Sequence, residues 1–474
     1  MKNNILPYDL VIIGGGSAGL TAAGFACQFG ARVAIVEVNR IGGDCTWTGC
    51  VPSKTLLKAA RVAHEMRTAD RYGLQSVEPQ IDLKAIMAHV HAVVQEIYRE
   101  ESPEALRAEG IDVFLGAARF LDPHTLAAGE ITLKARNFLI ATGAHPLTPP
   151  IEGIEDVDYL TYEDIWDLEV LPRHLMVLGA GPVGCEMAQA FRRLGAGVTL
   201  IERLDRVLPR DDPAASQVLS QAFIDEGIDI HCGMKIERAW QDGDGIHLSA
   251  GEEELVGDTL LVAVGRRPNV AGLGLENAGV TYSADGIHVD DYLRTSQRHI
   301  YAAGDCTGGD QFTHYAGWQA VMAARNALLP GASRGVTDHV PWATFTDPEV
   351  AQAGLTEAQA RDQFSDDVEI CQWQMEKVDR ARTEGDEGGF MKLVYKKDGT
   401  LLGVTIVAGR AGEMIHEWIV ALESGMKAGD LSNALHIYPT YATASMQAAA
   451  AIRVDQLLNG MSGRIIHSLA RVLR

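Results

Sequence analysis

Two stretches of the chain, Asp9–Glu37 (DLVIIGGGSAGLTAAGFACQFGARVAIVE) and His174–Glu202 (HLMVLGAGPVGCEMAQAFRRLGAGVTLIE), are one pattern written twice at a constant offset of 165 residues. Gly14 corresponds to Gly179, Gly16 to Gly181, Gly19 to Gly184 and Glu37 to Glu202. Each copy reads as a continuous apolar strand, a G-x-G-x-x-G turn, a helix, a second strand and an acid 18 residues after the third glycine. Unbroken apolar runs of this kind suit parallel strands covered on both faces. The glycines allow a tight turn and close approach of backbone to a pyrophosphate. The helix then turns its positive end toward the phosphates, and the final acid accepts hydrogen bonds from a ribose. One such loop is weak testimony, but two in full strand–turn–helix–strand context argue for two dinucleotides in one chain, as an electron relay requires.

At 474 residues the chain exceeds what one core supports, and about three domains are expected. Hydrophobic residues make up 47% and charged residues 22%, as in an ordinary globular protein. A net charge of −22 argues against a nucleic-acid surface and gives no support for binding anionic membranes. No apolar run has the length of a membrane helix. Met1–Pro7 is short and polar, and Leu10–Ile13 leads directly into a glycine loop, which marks a strand rather than a signal peptide. A cytoplasmic location is the expectation. The seven cysteines are odd in number and scattered, unlike a secreted disulfide scaffold. Only Cys45 and Cys50 lie close together; Cys27, Cys185, Cys232, Cys306 and Cys371 are expected to be small buried hydrophobes.

Ser53–Gly110 reads as two long helices, the second around Leu83–Arg99. After Pro341, Phe390–Tyr395 and Leu401–Val407 read as strands flanking the turn Lys397-Asp398-Gly399, while Glu413–Ser424 and Thr443–Leu458 read as helices. Alternation without a glycine loop suggests an α+β domain that binds no nucleotide of its own.

Directly after the first copy comes Gly42-Gly43-Asp44-Cys45-Thr46-Trp47-Thr48-Gly49-Cys50-Val51-Pro52-Ser53-Lys54. Pro52 suits the first turn of a helix, which places Cys50 at a helix N-terminus, where the dipole favours thiolate. Lys54 adds positive charge nearby. A zinc site would need further Cys or His at ligand spacing, and none is evident, so no metal site is expected. A thiol with a lowered pKa is what an electron-accepting or nucleophilic cysteine needs at neutral pH.

On these residues the chain resembles the class I pyridine nucleotide–disulfide oxidoreductases, the group that includes dihydrolipoamide dehydrogenase, glutathione reductase and mercuric reductase. Their G-G-T-C-x-N-x-G-C-[VI]-P-S-K motif is matched except at Asp44 and Trp47. Leu139-Ile140-Ala141-Thr142-Gly143 resembles the family's A-T-G segment, Val264–Asn269 (VGRRPN, with Gly265) its G-R-x-P-N segment, and Ile300–Asp305 the strand whose Gly304-Asp305 holds the flavin's ribityl and phosphate region. The resemblance implies an α/β fold with two Rossmann-like dinucleotide-binding domains, for FAD and NAD(P), plus a C-terminal α+β dimerisation domain. The implied boundaries are residues 1–155 with 275–335 for a discontinuous FAD domain, 156–274 for the NAD(P) domain and 336–474 for the interface domain.

The resemblance further implies that NAD(P)H passes hydride to one face of a flavin and that a Cys45–Cys50 disulfide lies on the other. Cys50 would be the charge-transfer thiol and Cys45 the interchange thiol, with Lys54 and Glu186 as the ion pair near the reactive flavin nitrogen. The implied cofactor-binding set comprises Gly14, Gly16, Gly19, Glu37, Gly43, Lys54, Thr142, Gly143, Gly179, Gly181, Gly184, Glu202, Gly265, Gly304 and Asp305. A carboxylate at Glu202 repels a 2′-phosphate and favours NADH, although Arg203 and Arg206 follow it closely. A homodimer is also implied.

One departure bears on the substrate. The disulfide-reducing members carry H-P-x-x-x-E near the C-terminus, whereas this chain has Tyr438 in the His position and Thr443 in the Glu position, with His436 two residues upstream. A free Tyr titrates near pKa ~10 and a free His near ~6.5, so Tyr is a poor proton shuttle at neutral pH. Mercuric reductases resemble this chain in having Tyr near that position, since a soft metal needs thiolate ligands more than a general acid. They also carry a C-terminal cysteine pair and often an N-terminal metal-binding domain, but this sequence has no cysteine after Cys371 and ends Ile465–Arg474. The leading expectation is a mercuric-reductase-like NAD(P)H oxidoreductase acting on a disulfide, a thiol or a thiophilic metal ion. Dihydrolipoamide dehydrogenase, a diaphorase, and a flavin redox sensor or binding protein are the alternatives.

Overall fold

Strand β1 (Tyr8–Ile13) ends at Gly14, helix α1 (Ser17–Gln28) follows, and β2 (Val33–Glu37) closes the first repeat. The computed structural model describes residues 8–459, so the readings of Met1–Pro7 and Ile465–Arg474 lie outside the described residues. Two compact units are present. One comprises the chain up to Leu178 with Arg193–Ala196 and Glu237–Thr337; the other comprises Gly179–Arg192, Gly197–Ile236 and the chain from Asp338 on.

In the first unit the chain leaves β2 for the short helix α2 (Gly43–Trp47) and then two long helices, α3 (Cys50–Arg67) and α4 (Leu83–Glu101). Helix α3 begins at Cys50 rather than Ser53, because Pro52 sits comfortably inside the first turn. A third, short helix, Pro103–Ala108, was not expected; Ser102 caps it, accepting from the Ala105 amide at 3.2 Å.

The sheet of this unit runs β3 (Asp112–Leu115), β2, β1, β6 (Ile131–Ile140), β5 (Thr125–Ala128), β4 (Ala118–Asp122). From β3 to β6 the pairing is parallel, and Ile300–Ala302 adds a further parallel strand on β6. Leu10, Ile12 and Ile35 face one core; Val11, Ile13 and Val36 face another with Phe120 and Phe138. Both faces are covered, which is why the strands carry no polar alternation. At the carboxyl edge the Ala141 amide donates to Ile13 O at 2.8 Å, and the Ala303 amide to Ile140 O at 3.0 Å. Three chain segments therefore leave the sheet side by side, beginning Gly14, Thr142-Gly143 and Gly304-Asp305. Ligands bind at this edge of open α/β sheets. The same unit holds the parallel strands His174–Leu178 and Thr259–Val262 and a three-stranded antiparallel sheet, Arg238–Gln241, Ile246–Ala250 and Glu253–Gly257.

The second unit contains the other glycine loop, the parallel strands Gly197–Glu202 and Asp229–Cys232, and a five-stranded antiparallel sheet. That sheet is ordered Trp342–Thr344, Glu349–Gly354, Leu401–Ala408, Phe390–Lys396, Val368–Gln374. Helices Ala411–Glu423 and Thr443–Asn459 pack on it around Trp418, whose indole N–H donates to Ser445 Oγ at 2.9 Å. The expected strands and helices are present within two residues of their predicted bounds. No described helix is long and apolar enough to cross a membrane.

Candidate active site

The glycine pattern is enforced by close backbone contact. A Cβ on Gly14, which sits at φ 110°, would stand 2.2 Å from Ala141 O, and one on Gly19 would stand 1.9 Å from Gly14 O. No side chain caps α1, so its first amides are left to a ligand. Beside Gly143, Gly181 and Gly265 no atom lies within 4 Å of where a Cβ would be, so the backbone there is open. Each glycine loop, taken within its own unit, fits one dinucleotide.

The two acids do more than sequence reasoning assigned to them. Glu37 accepts from the Gly15 amide at 2.7 Å and the Asn39 amide at 2.8 Å. Glu202 accepts from the equivalent amides, Ala180 and Leu204, each at 2.9 Å. Each carboxylate fastens its own loop. A carboxylate has about four acceptor sites, so a ribose hydroxyl can still be received.

The cysteine segment is stapled to the first loop. The Gly42 amide donates to Gly15 O at 2.8 Å. A Cβ on Gly43, at φ 59°, would lie 2.6 Å from Gly16 Cα, so only glycine permits this approach. Cys45 then falls in α2 and Cys50 opens α3, with Lys54 one turn further along. Both sulfurs are thiols here; Cys45 is half-buried and Cys50 exposed. Cys50 Sγ lies 3.3 Å from Thr313 Oγ1. The Cys45 thiol is pushed well above the ordinary range, first by its hydrogen bond with Cys50, then by burial and by charge on Cys50. The hydroxyls of Thr313 and Ser17 act the other way.

The departures from the family motif have specific partners. Trp47 donates its indole N–H to Ile41 O at 2.7 Å, and Arg40 lies over its ring. Asp44 pairs with Arg266, which also pairs with Asp305 and donates to the Tyr162 hydroxyl at 3.0 Å. Burial raises the Asp305 carboxyl, and the Arg266 charge opposes that. Nearby, Thr142 Oγ1 donates to Asn269 O at 2.7 Å, and Asn269 Nδ2 to Thr142 O at 2.9 Å. The A-T-G and G-R-x-P-N segments are thereby zipped together.

Glu186 belongs to the second unit, where it is 5% exposed and accepts from the Phe345 amide at 2.9 Å. Lys54 belongs to the first. In the second unit His436 has both ring nitrogens engaged, Nδ1 with Ala434 O at 3.0 Å and Nε2 with Glu417 at 2.9 Å. Tyr438 is 67% exposed and donates to Asp379 at 2.8 Å, which raises its pKa. Of the remaining cysteines only Cys185 and Cys306 are buried; Cys27, Cys232 and Cys371 are partly exposed, the first two because each sits near an element's end and Cys371 because it lies mid-way along the edge strand Val368–Gln374. Sequence reasoning missed Thr313, Ser17, Tyr162 and Glu417. Thr313 opens the helix that follows Gly304-Asp305, and a hydroxyl in that place is the one signal that was available.

The family described as pyridine nucleotide-disulphide oxidoreductase matches residues 8–327, and its dimerisation domain matches residues 340–449. The chain belongs to the pyridine nucleotide-disulphide oxidoreductase family. A mercuric reductase of Lysinibacillus sphaericus is 36% identical over 441 residues, covering 92% of this chain and 81% of that protein. A dihydrolipoyl dehydrogenase of Thermus scotoductus is 36% identical over 460 residues, covering 94% and 97%. Among solved structures, the Cu(II) complex of the HOCl-induced flavoprotein disulfide reductase RclA from Escherichia coli superimposes with a TM-score of 0.85 at 28% identity, covering 94% and 100%. As a member of this oxidoreductase family the protein is an FAD-dependent enzyme linked to a pyridine nucleotide, with two Rossmann-like domains and a dimerisation domain.

Proposed function

We propose that this enzyme uses NAD(P)H to reduce a thiophilic acceptor, a soft metal ion before a small-molecule disulfide, at the Cys45–Cys50 pair. Flavin, when bound, accepts hydride from the nicotinamide and hands two electrons to sulfur, which a disulfide cannot readily take as hydride itself. This chain's own residues do the rest. Gly14, Gly16, Gly19, Glu37, Gly43, Thr142, Gly143, Gly304 and Asp305 hold the flavin nucleotide. Gly179, Gly181, Gly184, Glu202 and Gly265 hold the nicotinamide nucleotide, with Lys54 and Glu186 at the reactive ring. In net terms NAD(P)H, one proton and the disulfide give NAD(P)+ and two thiols. Cys50, exposed and at the start of α3, carries the thiolate, and Cys45 meets the acceptor.

The observation that carries the choice of acceptor is the state of the C-terminal loop. Its imidazole is committed at both nitrogens, and a phenol held by Asp379 stands in the family's acid position. A soft cation bound by two thiolates needs no general acid, whereas a leaving thiolate does. The names of the mercuric reductase relatives and the copper complex of the RclA structure support the same reading.

NADH is the preferred donor, because Glu202 stays in place through two amide bonds and Arg206 is occupied by Asp205 and Pro209 O. The working enzyme is a cytoplasmic homodimer with an FAD domain formed by 1–155 and 275–335, an NAD domain by 156–274 and an interface domain by 336–474. The exposed Leu435 and Ile437 in the C-terminal loop suit a subunit contact.

The test is a steady-state comparison of Hg(II), lipoamide, glutathione disulfide and a quinone, each with NADH and NADPH, for wild type beside Cys45→Ser. Hg(II) is expected to drive NADH oxidation that disappears in the variant. Faster turnover of lipoamide than of Hg(II) would move the assignment to dihydrolipoamide dehydrogenase. Quinone reduction that survives the variant would mark a diaphorase.

A further inference from the structure

With the imidazole of the C-terminal loop engaged elsewhere, the charge on the reduced cysteine pair needs another partner. The side chains that reach the two sulfurs in the first unit include two hydroxyls, Thr313 and Ser17. Thr313 lies 263 residues after Cys50 and is the first residue of the helix Thr313–Leu328, whose N-terminus has no side-chain cap. Cys50 is likewise the first residue of α3, with Gly49 before it and no side-chain cap. Two residues that each open a helix therefore meet, and the Thr313 hydroxyl stands 3.3 Å from the Cys50 sulfur. A thiolate has no proton to give, so in that contact the hydroxyl donates.

We propose that Thr313 is a catalytic residue, whose hydroxyl donates a hydrogen bond to Cys50 Sγ and holds that sulfur as the thiolate during each reduced half-cycle. This rests on the reading of Cys45 and Cys50 as the working redox pair. The threonine does the work that a charged imidazole does for thiolates elsewhere, and it does so without titrating near neutrality. Thr313 reaches both sulfurs, whereas the contact of Ser17, at the start of α1, is with Cys45, and Ser17 plays the lesser part.

The experiment compares wild type, Thr313→Val and Thr313→Ser, each reduced and freed of excess reductant. Alkylation by iodoacetamide is followed from pH 5 to 9.5, with the modified cysteine identified by mass. In Thr313→Val the midpoint of the Cys50 rate profile is expected about one unit higher, equivalent to tenfold less thiolate at neutral pH, with Thr313→Ser returning to the wild-type profile. A second readout is the long-wavelength thiolate–flavin absorbance after anaerobic NADH addition, weaker in Thr313→Val at pH 7 and regained on raising the pH. An unchanged profile in Thr313→Val, or a Thr313→Ser profile shifted as far as that of valine, overturns the role of the hydroxyl. Absence of the long-wavelength band in wild type with either nucleotide overturns instead the underlying redox reading. Thr313 is exposed, and circular dichroism of each variant confirms that the comparison is made between folded proteins.

Discussion

The two glycine-loop copies share a skeleton down to their hydrogen bonds, yet the segment after each serves a different end. Both acids fasten the same two amides, and both return segments donate an amide to the loop at 2.8 Å, Gly42 to Gly15 O and Leu208 to Ala180 O. Both returns need a left-handed residue. The first copy uses Gly42 and Gly43; the second uses Leu208 at φ 45°, an uncomfortable choice for a branched side chain. The first copy thereby brings backbone against backbone and sets the segment that carries Cys45 beside the glycine loop. The second buries a leucine, 1% exposed, and spends the position on packing. One scaffold makes either a redox centre or a structural plug, according to whether two Cβ atoms are present.

The comparison breaks most sharply at Gly43. Gly43→Val is expected to remove bound flavin almost entirely, read as the ratio of absorbance at 450 to 280 nm, because its Cβ collides with backbone that cannot yield. Leu208→Ala should keep its flavin and lose about 2–3 kcal/mol of stability in denaturant unfolding.

The next largest effect concerns position 46 and its counterpart 211. Thr46 is 3% exposed and its hydroxyl donates to Glu101 at 2.8 Å. Asp211 is 4% exposed, accepts from the Trp342 indole at 2.8 Å, and is raised by burial to about 6. A folded pKa above the unfolded value of ~3.9 means that the folded state prefers the protonated acid. Its contribution is complete below about pH 4 and is lost as pH rises through about 6, a change of about 3 kcal/mol. Asp211→Asn should flatten that part of the pH–stability curve and stabilise the protein at pH 7.5 relative to wild type, as thermal unfolding at pH 4.5 and 7.5 would show. A variant whose pH dependence matches wild type would remove Asp211 from the account.

Smaller effects separate the two acids. Glu202→Ala should raise KM for NADH about tenfold, some 1.4 kcal/mol, with little change for NADPH, while leaving flavin content intact. Glu37→Ala should do the reverse, loosening flavin and sparing the nicotinamide. The mildest change is Asp44→Thr, which restores the family residue and leaves Arg266 its Asp305 partner. A change in flavin release worth about 1 kcal/mol or less is expected, measured by the dissociation rate in dilute denaturant.

What could be read from the sequence was whatever depends on local spacing. Gly14, Gly16 and Gly19 announced their loop because backbone approach tolerates no substitute. The 165-residue repeat carried over to individual amide bonds. The C-terminal strands and helices were legible from alternation and period alone. The illegible part is contact between distant segments. Arg266 meeting both Asp44 and Asp305, and Thr313 meeting Cys50, depend on Ile300–Ala302 returning to the sheet beside β6. The engagement of His436 by Glu417 was equally hidden, since a helix 19 residues earlier supplies the acid.

The late return of that strand matters while the protein is being made. Cys45 and Cys50 leave the ribosome early, but their hydroxyl partner at position 313 follows 263 residues behind the second of them. At ordinary elongation rates the gap lasts roughly 13–50 s. Throughout that interval two neighbouring thiols wait on a nascent chain with an unfinished cradle, open to whatever oxidant is near. The topology thus asks of its cell a reducing birthplace, or a flavin that arrives the moment the final edge strand docks.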